Sequence, residues 1–247
     1  MRELLACLVL LCAVGPEAAL AQSRTRVWDI ELGIPVAQLP LREFVDAACG
    51  TNGGPPSLPI DGFADFARCP VERATGLREV WFIYDDEWEY IARANRDPFE
   101  IGRYSANTMY RQPIITSVLI DAGGLVQGYR VITDPRAPID LRIQASVLFP
   151  IFKGMYSEAP WACIDLPADE RERPIDGTYL KASCEMASAR LFVKAEGRHL
   201  LKAGQDVRDV PRFLDQAAGD FESSARLEVY NLSAVRGAPC CSASVRP

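Results

Sequence analysis

The chain carries one histidine, His199, and no Cys-x-x-Cys pair. A serine or cysteine nucleophile normally needs a base beside it, and His199 is the one histidine that could serve. It stands in Gly197-Arg198-His199-Leu200, where a strand is expected to end, and no Gly-x-Ser-x-Gly elbow accompanies it. Ser-x-x-Lys does not occur with its usual companions, the phosphate-loop Gly-Lys-Ser/Thr ending is missing, and so is the Asp-x-Asp-x-Asp-Gly calcium pattern. Beyond the N-terminus no stretch of 18 residues is free of charge, so no membrane span is expected there. The 27 Lys and Arg against 33 Asp and Glu give a net charge of −6 without long runs of one sign. That balance argues against nucleic acid and anionic membrane as partners.

What is present begins with an export signal. Arg2 supplies a positive start, Leu4 to Val14 an apolar run, and Ala19-Leu20-Ala21 a small-residue exit. Gly15-Pro16 and Glu17 end the run well short of a bilayer span. The expectation is a signal peptide over residues 1–21, cleaved after Ala21, and a periplasmic or secreted protein. Cys7 precedes most of the apolar stretch, the wrong place for lipid attachment. Six cysteines remain: Cys49, Cys69, Cys163, Cys184, Cys240 and Cys241. An even number in an exported chain reads as disulfides. Spacings of about 20 residues favour Cys49 with Cys69 and Cys163 with Cys184, each bridge worth roughly 3 kcal/mol through the unfolded chain. Cys240 and Cys241 sit in a tail, 237–247, without hydrophobic periodicity.

The pattern around each cysteine pair is similar: a helical or apolar segment, a Pro-rich loop, then strands. Leu41, Phe44, Val45 and Ala48 have helical spacing over Pro40 to Ala48. Phe63 and Phe66 suggest a further helical turn before Cys69. Val80 to Tyr84 and Trp88 to Ala94 read as strands of a hairpin across Asp85-Asp86-Glu87. Ile114 to Ile120 and Leu125 to Thr133 read as a clearer hairpin, turned at Asp121-Ala122-Gly123-Gly124. After Asp134-Pro135-Arg136-Ala137-Pro138, the apolar face of Ile139 to Tyr156 predicts a long helix kinked at Pro150. Strands follow at Thr178 to Met186 and Arg190 to Glu196, a short helix at Val207 to Ala217, and a closing strand at Phe221 to Leu232. The expected fold is α+β, antiparallel sheets with packed helices, in two tandem units over 22–136 and 137–236.

Asp85, Asp86, Glu87 and Glu89 form the densest acidic cluster, flanked by Trp81, Tyr84, Trp88 and Tyr90. Such a cluster reads as a solvated turn, as a cation site, or as a carbohydrate site with a carboxylate pair. Trp81, Tyr84, Asp85, Asp86, Glu87 and Trp88 are therefore the candidate binding residues, with the aromatic row as the first partner surface to inspect. Thr51-Asn52-Gly53-Gly54 could hold an anion on its backbone amides or simply turn the chain; Asp134 and Arg136 could pair at a strand end. No cofactor and no metal is expected.

The helix, disulfide-loop and antiparallel-sheet arrangement, given twice, resembles the tandem α+β units of the beta-lactamase inhibitor protein and related small bacterial envelope domains. That resemblance rests on the two cysteine pairs and the Ile114 to Thr133 hairpin, and carries no inhibitor residue over. Export, the disulfide staples and the missing catalytic motifs together point to a non-enzymatic periplasmic or secreted binding module that presents one face of a sheet to a small ligand or to a protein, such as another envelope or secreted protein. The alternative is a hydrolase acting on an envelope polysaccharide through Asp85, Asp86 or Glu87; a structural envelope protein linked through its tail cysteines is the third.

Overall fold

A computed structural model gives the architecture and describes residues 24–202 and 221–237. The strands are β1 (Phe44–Cys49), β2 (Arg78–Tyr84), β3 (Thr108–Met109), β4 (Gln112–Ile120), β5 (Val126–Thr133), β6 (Ala162–Asp165), β7 (Leu180–Ala187), β8 (Leu191–Leu201) and β9 (Phe221–Asn231). The helices are α1 (Glu87–Ala94), α2 (Pro98–Tyr104), α3 (Ile139–Arg142), α4 (Leu148–Met155) and α5 (Leu232–Val235). One antiparallel sheet runs in the order β1-β2-β4-β5-β9-β8-β7-β6, with β3 paired to β4. The fold is thus α+β, built as two meanders of four main strands, β1-β2-β4-β5 and β6-β7-β8-β9. They join through their last strands, Tyr129 opposite Val229. Residues 134–138 connect one meander to the other.

Strand alternation sorts the side chains. In β2, Val80, Phe82 and Tyr84 are buried on one face, while Trp81 and Ile83 occupy the other. The first face continues across the sheet through Val118, Val131, Leu227, Ala195 and Cys184 into one apolar cluster drawing on both meanders. Helix α4 covers that face with Leu148, Phe149 and Phe152. A Cβ at Gly197 would stand 2.5 Å from the Phe149 ring, so the helix sits this close because β8 has a glycine there. The opposite face is apolar near one end, where Leu77, Leu119, Phe192, Tyr230, Leu232 and Val235 cluster, and again where Ile115 of β4 pairs with Ile132 of β5.

Elsewhere that second face is ionic. Arg130 lies in a row running Trp81, Ser117, Arg130, Glu228, Lys194, Glu185 across five strand pairings. Its guanidinium, 2% exposed as a residue, stands 2.9 Å from carboxylate oxygens of Glu72, Glu79 and Glu228. Burial opposes its charge, but the Glu72 hydrogen bond and the neighbouring Glu79 and Glu228 raise its pKa. Glu79 also accepts from Ser117 Oγ at 2.7 Å and from the Asn52 backbone N–H at 2.6 Å. The Thr51–Gly54 turn thus docks on the side chain of Glu79 through the Asn52 amide.

The bridges Cys49–Cys69 and Cys163–Cys184 are formed. The expected hairpin of residues 114–133 is β4 and β5, with Gly124 at a φ of 79° in its turn. Phe63 to Arg68 forms a 3-10 turn where a helical turn was expected.

Three expectations are corrected. Pro40 to Ala48 is not a helix: after a 3-10 turn at residues 41–43 it becomes β1, because pairing with β2 from Phe44 to Cys49 outweighs a helical spacing of four apolar residues. Trp88 to Ala94 is not a strand but α1. The expected long helix over residues 139–156 is α3, a 3-10 turn at Ala145–Val147 and α4. Pro150 does not kink it; as the third residue of α4 it occupies a position whose N–H has no intrahelical acceptor. The helix expected at residues 207–217 and the cysteines Cys240 and Cys241 lie outside the described residues.

Candidate functional site

The six candidate residues spread over three environments at the end of β2. Trp81 lies half-buried on the ionic face, in line with Ser117. Tyr84, two residues past Phe82 on the core face, is fully buried, with its ring 5.0 Å from Phe44 and 5.3 Å from Phe82. Its hydroxyl has no hydrogen-bond partner among the described residues. Burial first, then the nearby Glu43 and Asp29 carboxylates, raise its pKa well above the phenol range. Burial likewise raises Glu43, against the pull of Arg24.

Asp85, Asp86 and Glu87 start a helix rather than turn a hairpin. Asp85 Oδ1 accepts the Glu87 N–H at 3.0 Å, and the acids fall where the N-terminal dipole favours them. Trp88, 55% exposed, stacks on Tyr104 with ring centroids 6.0 Å apart. Helix α2 returns antiparallel to α1, capped by Asp97, whose Oδ1 accepts from Phe99 N at 3.0 Å and Glu100 N at 3.1 Å, with Pro98 at its first position.

The base of this helical hairpin is tied down by polar groups. Arg24 Nη1 donates to the carbonyls of Asp85 and, at 3.2 Å, Tyr104. Arg26 Nε donates to the Ser105 carbonyl at 3.2 Å. Asn107 imitates a paired strand residue, accepting from Tyr84 N at 3.0 Å and donating to Tyr84 O at 2.9 Å.

The orientation of α1 is the informative feature. The residues it turns toward the body are Glu89, 6% exposed, and Ala92, 4% exposed. Glu89 Oε1 accepts from Arg93 Nε at 2.9 Å and from Ser105 Oγ at 3.2 Å, so the buried side is closed by an ion pair. Glu87, Tyr90, Ile91 and Ala94, the i, i+3, i+4, i+7 stripe that normally meets a core, point to solvent. Tyr90 is 73%, Ile91 40% and Phe99 87% exposed. Tyr110, in the turn before β4, is 72% exposed. A helix buried on its ionic side and apolar on its open side is an unfinished packing arrangement.

Of these residues the sequence reading singled out Trp88 and Tyr90; it missed Ile91, Phe99 and Tyr110. Two signals pointed there: Asp97-Pro98 as cap and first residue of a helix, and the 87-90-91-94 stripe, which competes with the alternation of Trp88, Glu89 and Tyr90.

His199 has a structural engagement. Its Nδ1 lies 3.1 Å from Ser223 Oγ and 3.3 Å from Ser146 Oγ, while Ser223 Oγ donates to the Ile143 carbonyl at 2.8 Å and accepts the Ser146 N–H at 3.2 Å. With its proton on Ile143, Ser223 is held as a bracket between β9 and the α3–α4 segment. Asp134 and Arg136 pair at 2.8 Å beyond the end of β5. Among the described residues no group of three or more His, Cys, Asp or Glu is placed to hold a metal ion, and no helix is long and apolar enough to cross a membrane. Comparison with known protein families, curated proteins and solved structures finds no match to this chain.

Proposed function

We propose that this is an exported, periplasmic or secreted, non-enzymatic binding module whose contact surface is the α1–α2 hairpin. The observation that carries the reading is the reversed orientation of α1: Glu89 faces inward with its arginine, while Tyr90, Ile91 and, on α2, Phe99 face outward. Aromatic and aliphatic side chains held on a short rigid element are the usual anchors of protein contacts. The two disulfides support the export half of the reading, since such bridges persist outside the reducing cytoplasm. The N-terminal leader of Arg2, Leu4 to Val14 and Ala19-Leu20-Ala21 supports it independently.

Of the acids that a carboxylate hydrolase would use, Asp85 accepts the Glu87 amide, while Asp86 and Glu87 stand at the N-terminal end of α1. A photo-crosslinking residue at position 91, compared in cells with one at position 71 on a distant exposed loop, tests the contact surface. A discrete adduct at 91, lost in the Phe99→Asp variant and missing at 71, is the expected result. Equal or no labelling at both positions would overturn it. The Asp85→Asn variant should leave the adduct unchanged.

A further inference from the structure

We infer that the partner seated on the α1 stripe is a second copy of this chain, with the two α1 helices packed antiparallel about a two-fold axis passing between Tyr90 and Ile91. The inference rests on the hairpin being a contact surface and adds the identity of what covers it.

The exposed patch is self-complementary. An isologous interface requires that one patch fit itself after a half-turn, so each end of the patch must match the opposite end. Helix α1 has this property in charge: Asp86 and Glu87 are exposed at its start, Arg93, Arg96 and no acid are exposed at its end and in the residues following it, and the apolar Tyr90 and Ile91 lie between. A half-turn puts the acidic end of each helix against the basic end of the other and Tyr90 against Ile91. Glu87 then lies beside Ala94 of the second copy, small enough for close approach, and toward the end of that helix where Arg96 is exposed. The opposed helix dipoles add in the same sense. A parallel arrangement would instead set acid against acid and base against base.

The second helix fits the same symmetry. Phe99 stands at the hairpin tip, in the first turn of α2, while the Trp88–Tyr104 stack stands at its base. Antiparallel hairpins bring the most exposed aromatic of each copy toward the aromatic base of the other, where an offset ring contact is favourable. Because α1 spans only about 12 Å, the contact is small, and a dimer that forms and separates in the micromolar range is expected.

Sedimentation of the disulfide-intact protein from about 1 μM to about 1 mM reads the association directly. The Cys240→Ser, Cys241→Ser background keeps covalent linkage through the tail out of the measurement. A monomer–dimer equilibrium is expected, weakened at least tenfold by Ile91→Asp and by Glu87→Arg, and recovered when Glu87→Arg is combined with Arg96→Glu. Ile91 is exposed, so unchanged near-ultraviolet circular dichroism should show that Ile91→Asp folds; Phe99→Asp gives a second variant should it not.

A monomer across the whole range, a dimer indifferent to Ile91→Asp, or no recovery in the charge exchange each overturns the inference. So does a monomer that floats with neutral phosphatidylcholine vesicles, which would make the stripe a bilayer contact. If the protein is monomeric yet position 91 still forms its discrete adduct, the second copy is wrong and the contact surface stands. If position 91 gives no adduct either, both readings fall.

Discussion

Arg130 shows how one residue organises the ionic face. Three carboxylates converge on a guanidinium that is almost out of solvent, and Glu228 is shared with Arg226 through Nε at 2.9 Å. Removing the cation strands charge in a poorly solvated place, which costs more than the intact cluster contributes. Arg130→Met should lower unfolding stability by about 3–5 kcal/mol at pH 7 in urea titrations. The deficit should shrink as pH falls, because Glu228, deprived of Arg130, can then escape by protonation. In the wild type the sign is opposite. Burial raises Glu228, but Arg226 and Arg130 overcome it and hold its folded pKa below 4.5, so its stabilisation is present above 4.5 and is lost as pH falls through the folded value. His199 acts higher on the scale. Burial lowers its pKa below 6.5, against the raising effect of Asp176, so the unfolded chain binds the proton more readily and stability falls as pH drops below 6.5. The His199→Gln variant should lose stability less steeply than the wild type between about pH 7 and pH 5.

At the scale of elements, the two bridges have similar spans but unequal settings. Cys49 and Cys69 are fully buried. Cys184 is buried too, but Cys163 belongs to β6, whose four residues are all exposed and which is the outermost strand of the sheet. An exposed sulfur meets a reducing thiolate without prior unfolding. Brief treatment of the folded protein with a mild dithiol, followed by alkylation and peptide mass analysis, should therefore label Cys163 and Cys184 well before Cys49 and Cys69. Hydrogen exchange should then accelerate over residues 160–167 and little elsewhere, since β7 keeps its pairing with β8. Simultaneous labelling of all four would show that β6 is not the weaker attachment. Both pairings were legible from spacing, and the hairpin of β4 and β5 from Gly123-Gly124. What was not legible is whatever depends on a distant partner. Phe44 to Cys49 becomes a strand because β2 is beside it, and no local signal states that. Trp88 to Ala94 carries both an alternating and a helical pattern; the acids at its start, favourable to the dipole, tip it to helix. That the apolar stripe of α1 faces outward depends on Glu89 meeting Arg93 and Ser105, a tertiary fact.

At the scale of the whole molecule, the two meanders share their central ladder and their core. β9, the last of the described strands, lies between β5 and β8, so the first meander's sheet continues into the second only when β9 is in place. The main apolar cluster likewise mixes Val80, Val118 and Val131 with Phe152, Cys184, Val193 and Leu227. Neither half can lose its strands without exposing apolar surface of the other, and the energy of that exposure, about 25 cal/mol per Å², couples them. Calorimetry of the oxidised protein should accordingly show one transition with equal calorimetric and van't Hoff enthalpies. Two resolved transitions would mean that the β5–β9 ladder is a docking interface between independent units. A destabilising change on that ladder discriminates further. At Gly128 a Cβ would stand 2.5 Å from the Val229 carbonyl oxygen, so Gly128→Ala must push the two strands apart at the seam. In a single cooperative sheet the substitution lowers the one midpoint for the entire molecule. If the halves are independent, it instead separates them while leaving their own transitions near the original temperatures.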